Sequence, residues 1–234
     1  MKILIMKKKT LFAIIAIILL AIVVLSISLT YASKQTAKPI DAKVIVLDAG
    51  HGGVDNGVVG KSGIKESEFN LKMTFILRDL LDEAGFKVVL TRENNDGLYG
   101  NVTKHRKRAD MTARKKIIQQ NNPDVIISIH ANKYPSSDRR GAQVFFDEYN
   151  QNGQRLAKDV QSNVNVLNKE FVKRDFAALS GDYFLLKCSR APSIIMECGF
   201  LSNDEDEKLL ADEKYCQRLA FCIYSGVVGF FEVK

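Results

Sequence analysis

The sequence predicts a single α/β domain: a mostly parallel, twisted sheet with helices on both faces, preceded by an N-terminal hydrophobic segment. Three observations carry that expectation. Short, almost unbroken apolar runs such as Val44-Ile45-Val46-Leu47 read as strands buried on both faces. They alternate with amphipathic stretches of helical period, the rhythm of βαβ units. The chain has 234 residues, 46% of them hydrophobic, which is ample for one sizeable core. No internal repeat and no second folded domain is visible.

The first feature in order lies outside that core. Lys7-Lys8-Lys9 precede Leu11 to Ser28, eighteen residues without a charge. A helix of that length spans roughly 27 Å, close to the hydrocarbon thickness of a bilayer. The lysines favour the cytoplasmic side, so the rest of the chain is expected to be exported. Residues 1–32 are read as a signal peptide or N-terminal membrane anchor, with Thr30-Tyr31-Ala32 as a possible cleavage site, and 33–41 as a polar linker. Residues 1–40 hold six lysines and no acid, which accounts for most of the formal net charge of +7. The remainder is nearly neutral, so overall charge gives no support to a nucleic-acid partner. The membrane is expected to be touched only through the N-terminal segment.

Residues 42–234 form the expected folded domain. Val44–Leu47 is its first strand. Glu66 to Ala84 carries Phe69, Met73, Ile76, Leu77 and Leu80 on one face, with Gly85 as a helix stop. Phe86–Thr91 is the next strand, followed by a polar loop from Asn94 to about Thr103 and a basic helix to about Gln120. Asp124–Ile129 is a strand that delivers His130. Gly141–Phe146 is a strand, Gly153 to about Asn168 a helix, Tyr183–Lys187 and Ser193–Cys198 strands, and Tyr215–Phe231 a final helix. Cysteines 188, 198, 216 and 222 lack zinc-ribbon spacing and sit in apolar patterns, which reads as buried free thiols.

Chemistry concentrates where strands end. The first strand runs into Asp48-Ala49-Gly50-His51-Gly52-Gly53, where glycines allow a sharp turn that presents one side chain. Phosphate-loop patterns fail here, because Asp55 stands where each would need a glycine. Glu66 follows at the start of a helix, and His130 closes a later strand. Two histidines and a glutamate, each at the edge of a regular element, make a three-ligand metal site, and the ends of parallel strands are where an α/β protein places its chemistry. Glu197 ends another apolar strand. A bare buried carboxylate there must be paired, protonated or functional. With His51, Glu66 and His130 as ligands and Glu197 as base, the set suffices for hydrolysis.

Four segments also carry a resemblance: Leu47-Asp-Ala-Gly-His-Gly-Gly-Val-Asp-Asn-Gly, Gly63-Ile-Lys-Glu66 with Asn70-Leu71, Ser128-Ile-His-Ala-Asn132, and Glu197-Cys-Gly-Phe-Leu-Ser-Asn203. From about Lys43 to Phe231 the chain resembles the zinc-dependent N-acetylmuramoyl-L-alanine amidases of the amidase-3 type. The resemblance implies one α/β domain, one Zn²⁺ per chain, and cleavage of the amide between N-acetylmuramic acid and the L-Ala of a peptidoglycan stem peptide. It places the ligands on His51, Glu66 and His130 and the catalytic role on Glu197. Glu66 is preferred over Glu68 because the family's glutamate stands four residues before Asn-Leu. Arg92, Arg114, Arg174 and Asn132 are candidate substrate contacts, with structural ion pairs or caps as the alternative reading of the arginines.

The departures, Ala49 for a usual proline and Cys198 for a usual leucine, touch no ligand. The Arg106–Met111 run, Cys198 and the lack of a wall-binding repeat are most similar to the spore-cortex (CwlD-type) enzymes. That implies a role in muramic-δ-lactam formation for germination, at the forespore envelope. The basic stretch Lys104–Lys116 is a candidate docking face for an extracytoplasmic activator protein. Two other readings remain: a zinc carboxypeptidase acting on wall peptides, and a non-catalytic wall-binding or activator protein.

Overall fold

The structure, a computed structural model, describes residues 43–232 together with Ile15 and residues 17–24 of the N-terminal segment. The chain divides into two units, Met1–Asp41 and Ala42–Lys234. Ile15 and residues 17–24 are helical and exposed, and the rest of the anticipated Leu11–Ser28 span lies outside the described residues. Among the described residues, no helix is long and apolar enough to cross a membrane.

The second unit is a six-stranded sheet: β1 (Val44–Ala49), β2 (Lys87–Leu90), β3 (Val125–Asn132), β4 (Gln143–Phe146), β5 (Leu179–Ser180) and β6 (Ser193–Phe200). Their order is β2-β1-β3-β6-β4-β5. The first four are mutually parallel, and β4 runs antiparallel to β6. Five α-helices join them: α1 (Glu66–Glu83), α2 (Arg106–Asn121), α3 (Gln151–Leu167), α4 (Asp204–Ala211) and α5 (Glu213–Glu232).

The alternation of side chains along each strand sorts the core into two unequal layers. Ile45 and Leu47 of β1, Ile127 and Ile129 of β3, and Ile194 and Met196 of β6 belong to one face. They pack with Met73 and Leu77 of α1, Val160 and Val164 of α3, and Ile223 and Val227 of α5, all fully buried. The other face holds a smaller cluster of Val46, Ile126, Ile118 of α2, Leu185 and Cys188. Three long helices therefore cover one face, while α2 alone, helped by a short turn, covers part of the other. That leaves room above the sheet near the strand ends.

Two elements differ from the sequence reading. Tyr183–Lys187 is not a strand but ends in a 3-10 turn, Leu185–Lys187. Leu185 and its neighbour Leu186 are both buried, which alternation in a strand would not permit on a one-sided edge. The sheet edge beyond β4 is instead taken by two residues, Leu179 and Ser180. The acidic run Asp204-Glu-Asp-Glu, unassigned from sequence, forms the first turn of α4, where it suits the helix dipole. The side chain of Asn203 accepts from the main-chain nitrogens of Glu205 and Asp206 as its cap. The four cysteines are unpaired, three buried and Cys222 half-buried.

The least expected burial is polar. Asp48 and Arg114 are 0% and 1% exposed and lie between β1 and α2. Arg114 Nη1 is 2.5 Å from Asp48 Oδ1. Thr91 Oγ1 donates to the same carboxylate at 2.7 Å and Ser128 Oγ at 2.6 Å. Burial acts to raise Asp48, but Arg114 and the two hydroxyls outweigh it and hold the carboxyl below its usual range. Removing either partner strands a buried charge, which costs about 3–5 kcal/mol. Asp48→Asn and Arg114→Met should therefore each lower unfolding stability of the full-length chain by that much in urea titration. A loss below about 1 kcal/mol would show that the pair does not hold this layer together.

Candidate active site

The crossover from β1 through α1 to β2 goes one way and the path to β3 goes the other, so a cleft opens beyond the C-terminal ends of β1 and β3. His51 lies one residue past the turn that leaves β1 and has φ of 62°, a left-handed conformation that few residues other than glycine adopt. That backbone is braced from behind by two arginines. Arg92 donates to the carbonyls of Ala49, Gly50 and Ser67 at 2.9, 3.0 and 2.7 Å. Arg114 donates to those of Ala49 and His51 at 2.7 and 2.6 Å.

Glu66 is delivered by the first turn of α1. Lys65 at the N-cap supplies no side-chain cap. The helix's first amides bond the preceding loop instead, Glu66 N to Val58 O at 2.8 Å and Ser67 N to Asn56 O at 3.1 Å. Val58 N returns a bond of 2.9 Å to Glu66 Oε2, so the loop fixes the carboxylate it shields. His130 comes from β3 just before a bulge between it and Asn132.

These three side chains converge. Glu66 Oε1 lies 3.2 Å from His51 Nε2 and 2.9 Å from His130 Nδ1. One donor atom from each residue lies within 4.8 Å of the others, close enough to share an ion. Behind His51, Asp55 Oδ2 sits 2.9 Å from Nδ1, the place from which a carboxylate fixes the ring and its tautomer. Burial opposes charge on His51, yet Glu66 and Asp55 raise it to about 9. Burial likewise acts against the Glu66 carboxylate, but both histidines hold it far below its usual range. So strong an attraction for positive charge, with nitrogen and oxygen donors, suits a borderline divalent cation such as Zn²⁺.

Two glycines make the convergence possible. A Cβ on Gly50 would collide with the His130 ring, and one on Gly57 would collide with the Glu66 carboxylate.

Glu197 stands beside the cluster. It is the register partner of His130 across β3 and β6, and successive strands point such partners to the same face. It is 8% exposed, and Oε2 has no hydrogen-bond partner. Burial pushes its carboxyl up to about 7, with Glu66 adding to the shift and His130 and His51 opposing it. A cleft of about 830 Å³ opens over His51 and His130, walled by Tyr99, Met111, Tyr183 and Phe184.

The structure thus brings His51, Glu66, His130 and Glu197 into one place. It treats the other four candidates unequally. Arg92 is 3% exposed and all three of its guanidinium nitrogens bond main-chain carbonyls, with Nη1 on Asn94 O at 2.7 Å. Arg114 is bound to Asp48, Asp110 and the loop carbonyls. Both brace the His51 loop, the structural of the two readings the sequence left for them, and Arg114 also lines the cleft. Asn132 and Arg174 line a second groove on the far side of Glu197. Sequence reading gave no role to Asp55 or to Asn70, whose Nδ2 lies 3.2 Å from Gly50 O and 3.4 Å from Glu66 Oε1. The i,i+4 spacings His51–Asp55 and Glu66–Asn70 were the available signals.

Fold and site together define an α/β protein with three side chains placed where they could hold a metal ion, beside a free buried carboxylate. Residues 45–228 match the family described as N-acetylmuramoyl-L-alanine amidase. The chain is 35% identical to the germination-specific N-acetylmuramoyl-L-alanine amidase of Bacillus subtilis over 204 residues, 86% of this chain and 85% of that protein. Among solved structures it is similar to the CwlD amidase of Clostridioides difficile, determined in complex with the GerS lipoprotein. That match has 36% identity and a TM-score of 0.77 over 82% of this chain and 100% of the other. The catalytic domain of CwlV, an amidase of Paenibacillus polymyxa, matches at 29% identity and a TM-score of 0.65, covering 82% of this chain and 99% of that one. The chain belongs to the N-acetylmuramoyl-L-alanine amidase family and is an amidase of peptidoglycan.

Two outcomes test the site. Gly50→Ala should displace the His130 ring and abolish stoichiometric metal uptake in the full-length protein while its far-ultraviolet circular dichroism stays unchanged. Asp55→Ala should lower metal affinity about 10- to 100-fold, measured by competition with a chelating indicator; unchanged affinity would remove Asp55 from the orienting role.

Proposed function

We propose that the chain is a zinc enzyme that cleaves the amide between N-acetylmuramic acid and L-Ala, acting outside the cytoplasm in the spore cortex. The observation that carries this reading is the convergence of His51, Glu66 and His130 on one point beside Glu197. Three protein ligands leave an open position, the arrangement of catalytic rather than structural sites. Zn²⁺ held by His51, Glu66 and His130 would supply Lewis acidity for the scissile carbonyl and for water. The protein's own part is proton transfer and orientation. Glu197 Oε2, buried and without a partner, takes the proton of the attacking water and passes it to the leaving nitrogen of L-Ala. The braced loop keeps His51 aimed, and Asn70 and the Val58 amide keep Glu66 from turning away.

The narrower biological role rests on similarity to the germination-specific amidase of Bacillus subtilis and the CwlD amidase of Clostridioides difficile. On that basis the reaction strips stem peptides ahead of muramic-δ-lactam formation. The latter amidase was solved with a lipoprotein, which favours an extracytoplasmic activating partner for this chain too. A carboxypeptidase reading has no comparable support, because the matched family cleaves at the glycan end of the peptide.

Full-length protein should hold about one zinc per chain and release intact stem peptides beginning with L-Ala from purified peptidoglycan. Peptides lacking only their C-terminal residue would instead mark a carboxypeptidase. Glu197→Gln should keep the zinc and lose activity by at least about 100-fold. As a base, Glu197 works deprotonated, so kcat/KM should rise with pH and flatten. Since a cation at the ligands favours the carboxylate, that limb should lie at or below about 7. A rate that falls across this range would exclude Glu197 as the base.

A further inference from the structure

Two grooves flank the His130–Glu197 pair, and their chemistry differs. The groove on the α2 side mixes rings and apolar groups with charges of both signs. The second, of about 510 Å³, lies over β4 and β5 and carries three arginines, Arg139, Arg140 and Arg174, against two acids, Asp138 and Asp175. Its inner end is Gln143, the register partner of Glu197 on the β4 side, so it begins one strand spacing, about 4.8 Å, from the base.

The arginines are not equivalent. Arg140 pairs with Glu205 and Asp206. Of the groove's two acids, Asp175 is matched by Lys169 at 3.1 Å and Asp138 accepts from Ser136 Oγ at 3.2 Å. Arg139 and Arg174 remain exposed without an acidic partner among the described residues. Each is instead laid against a ring, Arg139 4.4 Å over Tyr134 and Arg174 5.3 Å over Phe176. Such stacking pre-orients the planar guanidinium while leaving its edge free to form paired bonds with a carboxylate.

The substrate is equally lopsided. The lactyl carboxyl of the sugar is consumed in the scissile amide, so the glycan side carries no charge there, whereas the stem peptide beyond L-Ala carries free carboxylates. We propose that the Arg139–Arg174 groove is the subsite for the carboxylates of the stem peptide, so that peptide lies over β4 and β5 and glycan lies toward α2. This rests on the amidase reading of the site. It makes the two arginines specificity determinants that act on binding and not on proton transfer.

The test uses full-length, zinc-loaded protein and two probes: a stem tripeptide with free carboxylates and the same peptide with its carboxylates amidated. Calorimetry should show the acidic peptide binding about tenfold tighter, and the double variant Arg139→Gln/Arg174→Gln should erase the difference. A charge-matched control, Lys87→Gln/Lys158→Gln, exposed at the start of the opposite edge strand β2 and on α3 and outside the groove lining, should preserve it. With muropeptides carrying the same two stems, the double variant should raise KM for the acidic form about tenfold and leave kcat unchanged. Equal binding of both peptides to wild type, or an equal loss in the charge-matched control, would overturn the subsite. Because binding is read without turnover, a protein that bound selectively but cleaved neither muropeptide would refute the amidase mechanism and leave the subsite standing.

Discussion

The buried pair Asp48–Arg114 is the interaction on which the site depends. Charge inside a protein is stable only when matched and hydrogen-bonded, and here each partner is satisfied several times over. The consequence reaches past stability. Arg114 bonds Asp110 through Nε, shares Nη1 between Asp48 and the Ala49 carbonyl, and gives Nη2 to the carbonyl of His51. Arg92 adds bonds to the carbonyls of Ala49 and Gly50. Three successive carbonyls are thereby turned inward, and a loop with its carbonyls held inward is obliged to present His51 outward. The left-handed backbone of His51, which alone would cost about 1–2 kcal/mol, is sustained by these bonds.

The three converging side chains then come from three unrelated pieces of chain, and each is held by something other than its neighbours in sequence. His51 rests on arginines from the end of β2 and from α2. Glu66 rests on the loop that closes over the first turn of α1. His130 occupies space that exists because residue 50 has no side chain. A site assembled this way is rigid where it must be, since moving one ligand requires displacing a buried arginine, a helix terminus or a strand.

The uneven covering of the sheet supplies the access. One face is closed by α1, α3 and α5 over a continuous apolar layer, and nothing can approach His51, Glu66 and His130 from there. On the other, α2 shields only part of the sheet, and the chain between β5 and β6 contributes Tyr183 and Phe184 as a wall. The polar layer of Asp48, Ser128, His130 and Glu197 lies on this face, and Asp48 and His130 of it line the open cleft. Burial raises Glu197 toward neutral pH at a position one strand from His130, which lines the cleft.

Much of this was legible in the sequence. Unbroken apolar runs identify the central parallel strands because such strands are buried on both faces, and the periodic faces of α1 and α5 announce their packing. The glycine-rich exit from β1, the two strand-ending histidines, Glu66 and Glu197 were each visible as polar residues where an apolar pattern breaks. The arginines were not legible in the same way, since a charged residue in a basic run such as Lys104–Lys116 looks like solvated surface. Only the packing of α2 against β1 turns Arg114 inward to meet Asp48. The Tyr183–Lys187 strand failed for a related reason: four apolar residues read as strand or turn alike until the sheet shows whether an edge is free. Local pattern therefore determined the elements and the chemical groups. Long-range contact decided which charges are buried, which are free and which way each points.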